Sequence, residues 1–142
     1  MLLDANLLIY SHLTVFSQHR AAREWLDQML TGEAPVGFPW ESITAFLRIV
    51  TSPRIFAQPV PTGTAWQQVE EWLACAVAWI PLPTERHAAL LRELLSAPGV
   101  RANVVPDAHL AALAIEHGLA LCSSDGGFAR FPRVRWINPL AS

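Results

Sequence analysis

The chain has 142 residues, a net charge of −2 and 52% hydrophobic residues, and all ten of its basic residues are arginines. This length is enough to bury a core without disulfides or a structural metal, and we expect a single domain over residues 1–142. The small negative charge argues against broad electrostatic binding of nucleic acid. The two cysteines form no CxxC pair and have no close histidines, which indicates core residues in a reducing compartment.

No segment of the sequence has the pattern of a secretory signal or a membrane span. The apolar start of the chain is interrupted at Asp4 and Asn6, and the longest apolar run, residues 72–82, contains Pro81. A membrane-spanning helix needs about 20 apolar residues, which is more than this run provides. The sequence therefore predicts a cytoplasmic protein with no membrane segment.

The predicted elements alternate between short apolar runs and helical periods. We expect strands over 1–3, 34–38, 77–82, 119–123 and 134–138, and helices over 17–30, 41–50, 64–76, 84–96 and 107–117. The segments 57–63 and 97–106 contain prolines and glycine and are predicted loops. Strands separated by helices indicate βαβ units, so the sequence predicts an α/β fold with a mainly parallel sheet.

Four of the twelve acidic residues stand at the ends of predicted elements in apolar surroundings. Asp4 and Asp125 follow strands, whereas Glu41 and Asp107 open helices. Sites in open α/β sheets lie beyond the carboxyl ends of the strands, so the four carboxylates are expected to converge at one edge. They would repel one another there unless some were protonated or a divalent cation neutralised them, and such oxygen ligands suit Mg²⁺ or Mn²⁺.

Each of these acids also has a structural explanation. Glu41 and Asp107 are placed to stabilise helix N-termini, and Asp125 precedes a turn at Gly126. This kind of explanation is weakest for Asp4, because a carboxylate beside a central strand is costly to bury without a partner.

The remaining titratable residues are given no part in the site. The other acids are assigned to solvated positions, and Glu116 is among those placed on polar helix faces. The five histidines show no mutual ligand spacing. His109, two places after Asp107 on a predicted helix, is expected to point away from the site.

Three stretches carry a resemblance to a known family. They are LLDANLLIY, ESITAFLRIVTSPRIF and NVVPDAHLAALAIEHGLALCSSDGGFARFPRVRWINPL. In this order and spacing they resemble the four motifs of PIN-domain ribonucleases, in particular the VapC-type toxins of type II toxin–antitoxin systems. The resemblance covers nearly the whole chain. It implies a PIN-like three-layer sandwich, in which helices flank a central, mainly parallel, twisted sheet of four to five strands.

The resemblance also implies an activity, a cofactor and partners. A protein of this kind is a Mg²⁺- or Mn²⁺-dependent endoribonuclease that leaves a 5′-phosphate and a 3′-hydroxyl, binds a cognate VapB-type antitoxin and forms a homodimer. The family's catalytic acids correspond here to Asp4, Glu41, Asp107 and Asp125, with the three aspartates as metal ligands. Asn6 and Ser123 correspond to supporting residues, and Ser123 stands where the family often has threonine.

Two positions depart from the family pattern. Many PIN domains have the second acid about one helical turn later, near Thr44 or Ala45, so Glu41 is either a direct ligand or acts through water. Many relatives also have a further acid where this chain has Gly127, which weakens the case for a second metal. These departures leave open a non-catalytic PIN-like domain that binds RNA or protein.

The arginines near the second and fourth motifs are candidate contacts for RNA phosphates. They are Arg48, Arg54, Arg130, Arg133 and Arg135. The alternatives are an ordinary surface role or, for Arg48, a pair with a site acid. A phosphoryl-accepting domain of the receiver type is disfavoured because such domains use a lysine, and this chain has none.

Overall fold

The computed structural model describes residues 1–141, in which five short strands form one parallel sheet and six α-helices flank it. The elements in chain order are β1 (Leu2–Leu3), α1 (Ala5–His12), α2 (His19–Leu30), β2 (Val36–Gly37), α3 (Trp40–Val50), α4 (Thr62–Leu73), β3 (Ala78–Trp79), α5 (His87–Leu95), α6 (Val105–Glu116), β4 (Leu121–Cys122) and β5 (Trp136–Ile137). Short 3₁₀ helices cover Ala102–Val104 and Gly126–Arg130.

The sheet has the strand order β3-β2-β1-β4-β5, and every neighbouring pair is parallel. The first strand is therefore central, with Leu2 opposite both Gly37 of β2 and Leu121 of β4. Because all five strands run the same way, the residues that follow them emerge at one edge of the sheet. The predicted α/β class and parallel sheet are confirmed.

Side chains alternate between the two faces of the central strands and enter two separate cores. Leu3 and Cys122 pack in a cluster with residues of α1, α2, α3 and α4. Leu2 and Leu121 pack in the other, with α5, α6 and the 3₁₀ helix after β4. The sheet is thus covered by helices on both faces, which confirms the three-layer arrangement and fixes β1 and β4 in its centre.

The helix α1 is not predicted by the sequence. All its residues are at least half-buried, and it packs against both α2 and α3. It therefore shows no polar face and no amphipathic period by which to recognise it. Its start is nevertheless marked, since the Asp4 carboxylate caps it by accepting a hydrogen bond from the Ala5 N–H.

Smaller differences concern the two predicted loops. The helix α4 begins inside the first, at Thr62, and α6 begins inside the second, at Val105, with Pro106 in its first turn. Proline is well tolerated there because the first N–H groups of a helix have no partner within it. Gly118, with a φ of +64°, follows the end of α6 as expected. Within residues 1–141, no helix has both the length and the apolar character needed to cross a membrane.

Candidate active site

Asp4, Glu41 and Asp107 line one small cavity of about 100 Å³ at the carboxyl edge of the sheet. Each comes from a different element. Asp4 follows β1 directly, Glu41 lies in the first turn of α3, and Asp107 lies in the first turn of α6. The parallel sheet and the two helix N-termini together bring these three carboxylates to one place.

Asp125 follows β4 and is exposed beside this cavity. Its carboxylate caps the following 3₁₀ helix by accepting a hydrogen bond of 2.8 Å from the Gly127 N–H. It does not line the cavity itself, yet its negative charge raises the pKa of both Asp4 and Asp107. The charge of the fourth acid therefore acts on the carboxylates of the cavity.

The hydroxyl of Ser123 connects three parts of the site. It donates to Asp4 Oδ2 over 2.6 Å and accepts from Asn6 Nδ2 and from the Asp125 N–H, both at 3.0 Å. A hydroxyl has one donor and two acceptor positions, so all three are used. Ser123 is completely buried, which leaves no water to replace these bonds.

Asn6 is the second support of Asp4. Its Nδ2 lies 3.4 Å from Asp4 Oδ2, and its Oδ1 accepts from the Ser124 N–H at 3.3 Å. Asp4 Oδ1 meanwhile accepts from the Ala5 N–H at 2.8 Å. Both carboxylate oxygens of Asp4 are thus held, and the loop after β4 is tied to the loop after β1.

Burial and mutual repulsion raise the pKa values of the two inner acids. Burial is the larger cause for Asp4, opposed by the hydrogen bonds from Ser123 and Ala5 and reinforced by the charge of Asp125. For Asp107, burial and the charges of Asp125 and Asp4 raise the pKa to about 6, while Arg130 acts in the opposite direction. The site therefore gathers more negative charge than its surroundings neutralise.

This donor set suits a hydrated divalent cation. Within residues 1–141, no three His, Cys, Asp or Glu side chains lie close enough together to hold a metal ion by themselves. Mg²⁺ usually keeps several of its waters and is held by one or two carboxylates, so waters would complete its coordination here. A cation would also stabilise the ionised form of Asp107, which burial and the charges of Asp125 and Asp4 disfavour. The chemistry of the acids thus fits Mg²⁺ or Mn²⁺.

Two expectations about the histidines and Glu116 are wrong. His109 does not point away, because its Nε2 lies 3.2 Å from Glu41 Oε2, and its Nδ1 lies 2.9 Å from His87 Nε2. Glu116 is not on a solvated face, since its side chain is fully buried and hydrogen-bonded to His87. A sequence signal existed: residues 109 and 116 are two turns apart on α6 and share one face.

The candidate phosphate-binding arginines lie in different places. Arg130 is near the acids, since its charge lowers the pKa of Asp107, and its Nε donates to the Gly127 carbonyl over 2.9 Å. Arg133 pairs with Glu93 at 2.7 Å. Arg135 precedes β5 and acts on the amine of Met1, which places it at the amino edge of the sheet, away from the cavity. Arg48 and Arg54 are exposed.

The comparisons with known proteins agree on one family. Over residues 1–134 the chain matches the family model described as PIN domain. It is 44% identical over 140 residues to Ribonuclease VapC37 of Mycobacterium tuberculosis, across 99% of this chain and 97% of the relative. It is 39% identical over 137 residues to VapC ribonuclease Mb2897 of Mycobacterium bovis, across 96% of this chain and 93% of the relative.

A solved structure has the same fold. It is VapBC2 from Rickettsia felis bound to a DNA fragment from their promoter, which matches with a TM-score of 0.69 and covers 96% of both chains. The sequence identity is 15%, so this likeness concerns the path of the backbone.

Proposed function

Because this chain belongs to the PIN-domain family, we propose that it is a metal-dependent endoribonuclease and the toxin of a type II toxin–antitoxin pair. The observation that carries the proposal is the meeting of Asp4, Glu41 and Asp107 on one cavity, with Asp125 beside it. Relatives named as ribonucleases, which align almost end to end with this chain, support the same reaction. In this proposal the chain acts as one PIN domain.

In this account Asp4, Asp107 and Asp125 would hold Mg²⁺ or Mn²⁺, and the bound cation would supply Lewis acidity for the activation of water and the stabilisation of negative charge on the phosphate. Asp4 is kept in one orientation by Ser123 and Asn6 on one oxygen and by the Ala5 N–H on the other. Such preorganisation means that the carboxylate does not have to reorient during the reaction.

Glu41 differs from the three aspartates in its surroundings. It faces the cavity, but about 40% of its side chain is exposed to solvent. A carboxylate in contact with both the site and the solvent is placed to orient the attacking water and to accept its proton. We therefore propose a catalytic role for Glu41, acting as a further ligand or through water.

RNA must approach this acidic cavity with its own negative charge. Arg130 is the best-placed cation, because it is exposed and close enough to Asp107 to lower the pKa of that residue. Arg48, in the last turn of α3, and Arg54, after that helix, lie at the opposite end of α3 from Glu41. We propose that Arg130 contacts a phosphate beside the cleaved bond and that Arg48 and Arg54 contact phosphates farther along the RNA.

The proposed partners are a VapB-type antitoxin and a second copy of the chain. The solved structure with the same fold is a VapBC pair, which supports an antitoxin here. This chain also exposes large apolar side chains that a partner can cover, such as Val15 at 74%, Leu82 at 58% and Ile55 at 55%. We propose that the protein acts in the cytoplasm, where its RNA substrate and antitoxin would be found.

The proposal is tested by RNA cleavage with purified protein in Mg²⁺ or Mn²⁺. Asp4→Asn and Asp107→Asn should each lower the cleavage rate at least about a hundredfold, because both remove charge at the reacting centre. Asp27→Asn is the matched control, since Asp27 forms an exposed ion pair with Arg23 in α2. Undiminished cleavage by both site variants would refute the proposal. RNA binding without any product would instead favour the non-catalytic PIN-like alternative.

A further inference from the structure

A line of four side chains connects the interior of the protein to the candidate active site. Starting inside, Glu116 at the end of α6 contacts His87 at the start of α5. His87 Nε2 lies 2.9 Å from His109 Nδ1, and His109 Nε2 lies 3.2 Å from Glu41 Oε2. We call this line the Glu116–Glu41 chain. None of its links is between sequence neighbours, because it joins α6, α5 and α3.

The inner end of this chain is a firm anchor. The Glu116 side chain has no exposed surface and accepts hydrogen bonds from the Thr84 N–H and from His87 Nδ1. Burial alone would raise its pKa, but these hydrogen bonds hold the pKa below its usual value. An ionised Glu116 accepts hydrogen bonds and cannot donate them, so it fixes an N–H on His87 Nδ1.

Glu116 is also in a costly place for an acid. It is the last residue of α6, where the helix dipole disfavours negative charge, and it is buried. The hydrogen bonds from Thr84 and His87 offset this cost, and the one from His87 orients its ring, whose other nitrogen lies 2.9 Å from His109 Nδ1.

The outer end of the chain holds a side chain that would otherwise be mobile. Glu41 has several rotatable bonds and is about 40% exposed, so nothing but a specific contact keeps its carboxylate in one position. His109 supplies that contact. Its ring is 27% exposed, and its edge packs against His87 with ring centroids 4.7 Å apart. The ring cannot turn toward solvent without breaking both links.

We propose that His109, held by His87 and Glu116, is a positioning residue that fixes the Glu41 carboxylate at the cavity shared with Asp4 and Asp107. The inference rests on the proposed function, since it assumes that Glu41 serves this site. The competing explanation is a purely structural clamp between α5 and α6.

A double-mutant cycle on Mn²⁺ affinity separates the two explanations. His109→Ala and Glu41→Gln should each weaken Mn²⁺ binding by about tenfold, the usual effect of removing a supporting contact. If His109 acts through Glu41, the double variant should bind Mn²⁺ no more weakly than Glu41→Gln alone. His109→Gln should keep much of the affinity lost in His109→Ala, because its amide can still donate to Glu41.

His117→Ala is the control, since His117 follows α6 but donates to the Leu82 carbonyl, away from the cavity. It should leave Mn²⁺ affinity unchanged. A structural clamp predicts a lower melting temperature for His109→Ala with parental Mn²⁺ affinity, and that result would overturn the inference. Losses that multiply in the double variant would overturn it as well, because His109 would then act independently of Glu41.

Cleavage assays distinguish this inference from the proposed function. If the parent binds Mn²⁺ and the cycle shows coupling but RNA is not cut, the ribonuclease proposal fails and the positioning of Glu41 stands. If Asp107→Asn abolishes cleavage while Glu41→Gln leaves Mn²⁺ affinity and cleavage unchanged, the ribonuclease proposal stands and the positioning role fails.

Discussion

At the scale of single residues, the site depends on groups with no spare hydrogen-bonding capacity. Ser123 uses its one donor and two acceptor positions on Asp4, Asn6 and the Asp125 backbone. Removing the hydroxyl leaves the Asp125 N–H without its acceptor and leaves Asp4 Oδ2 with only the longer contact to Asn6 Nδ2. A small buried serine thus joins Asn6 in connecting the chain after β1 to the chain after β4.

Ser123→Ala should lower the free energy of unfolding by about 1–3 kcal/mol, the usual cost of leaving buried polar groups unpaired. It should also weaken Mn²⁺ binding, because Asp4 loses its shortest hydrogen bond. Ser123→Thr keeps the hydroxyl and should retain most of the affinity. Ser96→Ala is the control, since Ser96 is exposed and bonds only the Arg92 carbonyl of its own helix. Urea unfolding and Mn²⁺ titration measure both effects, and equal stability of Ser123→Ala and parent would count against this role.

Asp107 should make the metal-free protein less stable as the pH rises. Its pKa is about 6 in the folded chain against an ordinary value of 3.8. Between these values the folded state keeps a proton that the unfolded state has released, so stability falls with rising pH and stays lower above about pH 6. Asp107→Asn removes this effect. At pH 7 it should stabilise the metal-free protein by about 1 kcal/mol, a figure reduced for solvent screening of a half-exposed group.

Thermal unfolding at several pH values in EDTA tests this expectation. The advantage of Asp107→Asn should disappear below about pH 4, where the carboxyl is protonated in both states. At pH 7 in Mn²⁺ the parent should instead be more stable than Asp107→Asn, because the cation stabilises the parent and binds the variant poorly. A variant less stable than the parent at pH 7 in EDTA would contradict the repulsion described here.

At the scale of elements, close packing around Gly37 helps to position β2 in the sheet. Gly37 of β2 has no room for a side chain: an added Cβ would lie 2.8 Å from Pro81 Cγ and 3.1 Å from the Met1 carbonyl oxygen. The closest of these contacts is with Pro81, which follows β3, so the absent side chain of Gly37 lets this segment pack against β2. Phe38, the residue after β2, leads into the helix that carries Glu41, so a shift of β2 would also move the start of that helix.

Gly37→Ala should destabilise the protein by about 1–3 kcal/mol, as overpacking in a core usually does. Gly63→Ala makes the same chemical change where no atom lies within 4 Å of the added Cβ. Gly63 lies in the first turn of α4, and its change to alanine should be neutral or stabilising, because alanine has a higher helix propensity than glycine. Equal midpoints of urea unfolding for the two variants would show that the packing of Pro81 against Gly37 is not tight.

The elements also show where the sequence is informative. Parallel strands and amphipathic helices such as α3 were predictable, since their patterns are local. The helix α1 was not, because it is surrounded by other elements and has no polar face. The contact between His109 and Glu41 was not predictable either, because it depends on how α3, α5 and α6 pack together. The four site acids were singled out because element ends and an apolar context are visible in sequence.

At the scale of the whole molecule, the residues that stabilise the fold and the candidate catalytic residues lie in different parts of the sandwich. The two apolar clusters lie on opposite faces of the sheet, whereas the acids lie at its carboxyl edge, between helix N-termini. Loss of a single carboxylate should therefore change cation binding without unfolding the chain. Apolar side chains exposed on the outer surface, among them Val15 and Ile55, offer an apolar contact surface to the partner proposed above.

The central claim is that RNA cleavage at these carboxylates requires a divalent cation. The most direct test is the rate of RNA cleavage by the purified parent as Mn²⁺ is removed with EDTA and then added back. We predict no cleavage in EDTA, full recovery with excess Mn²⁺ or Mg²⁺, and products that carry a 5′-phosphate. Cleavage that continues at an unchanged rate in EDTA would contradict the account.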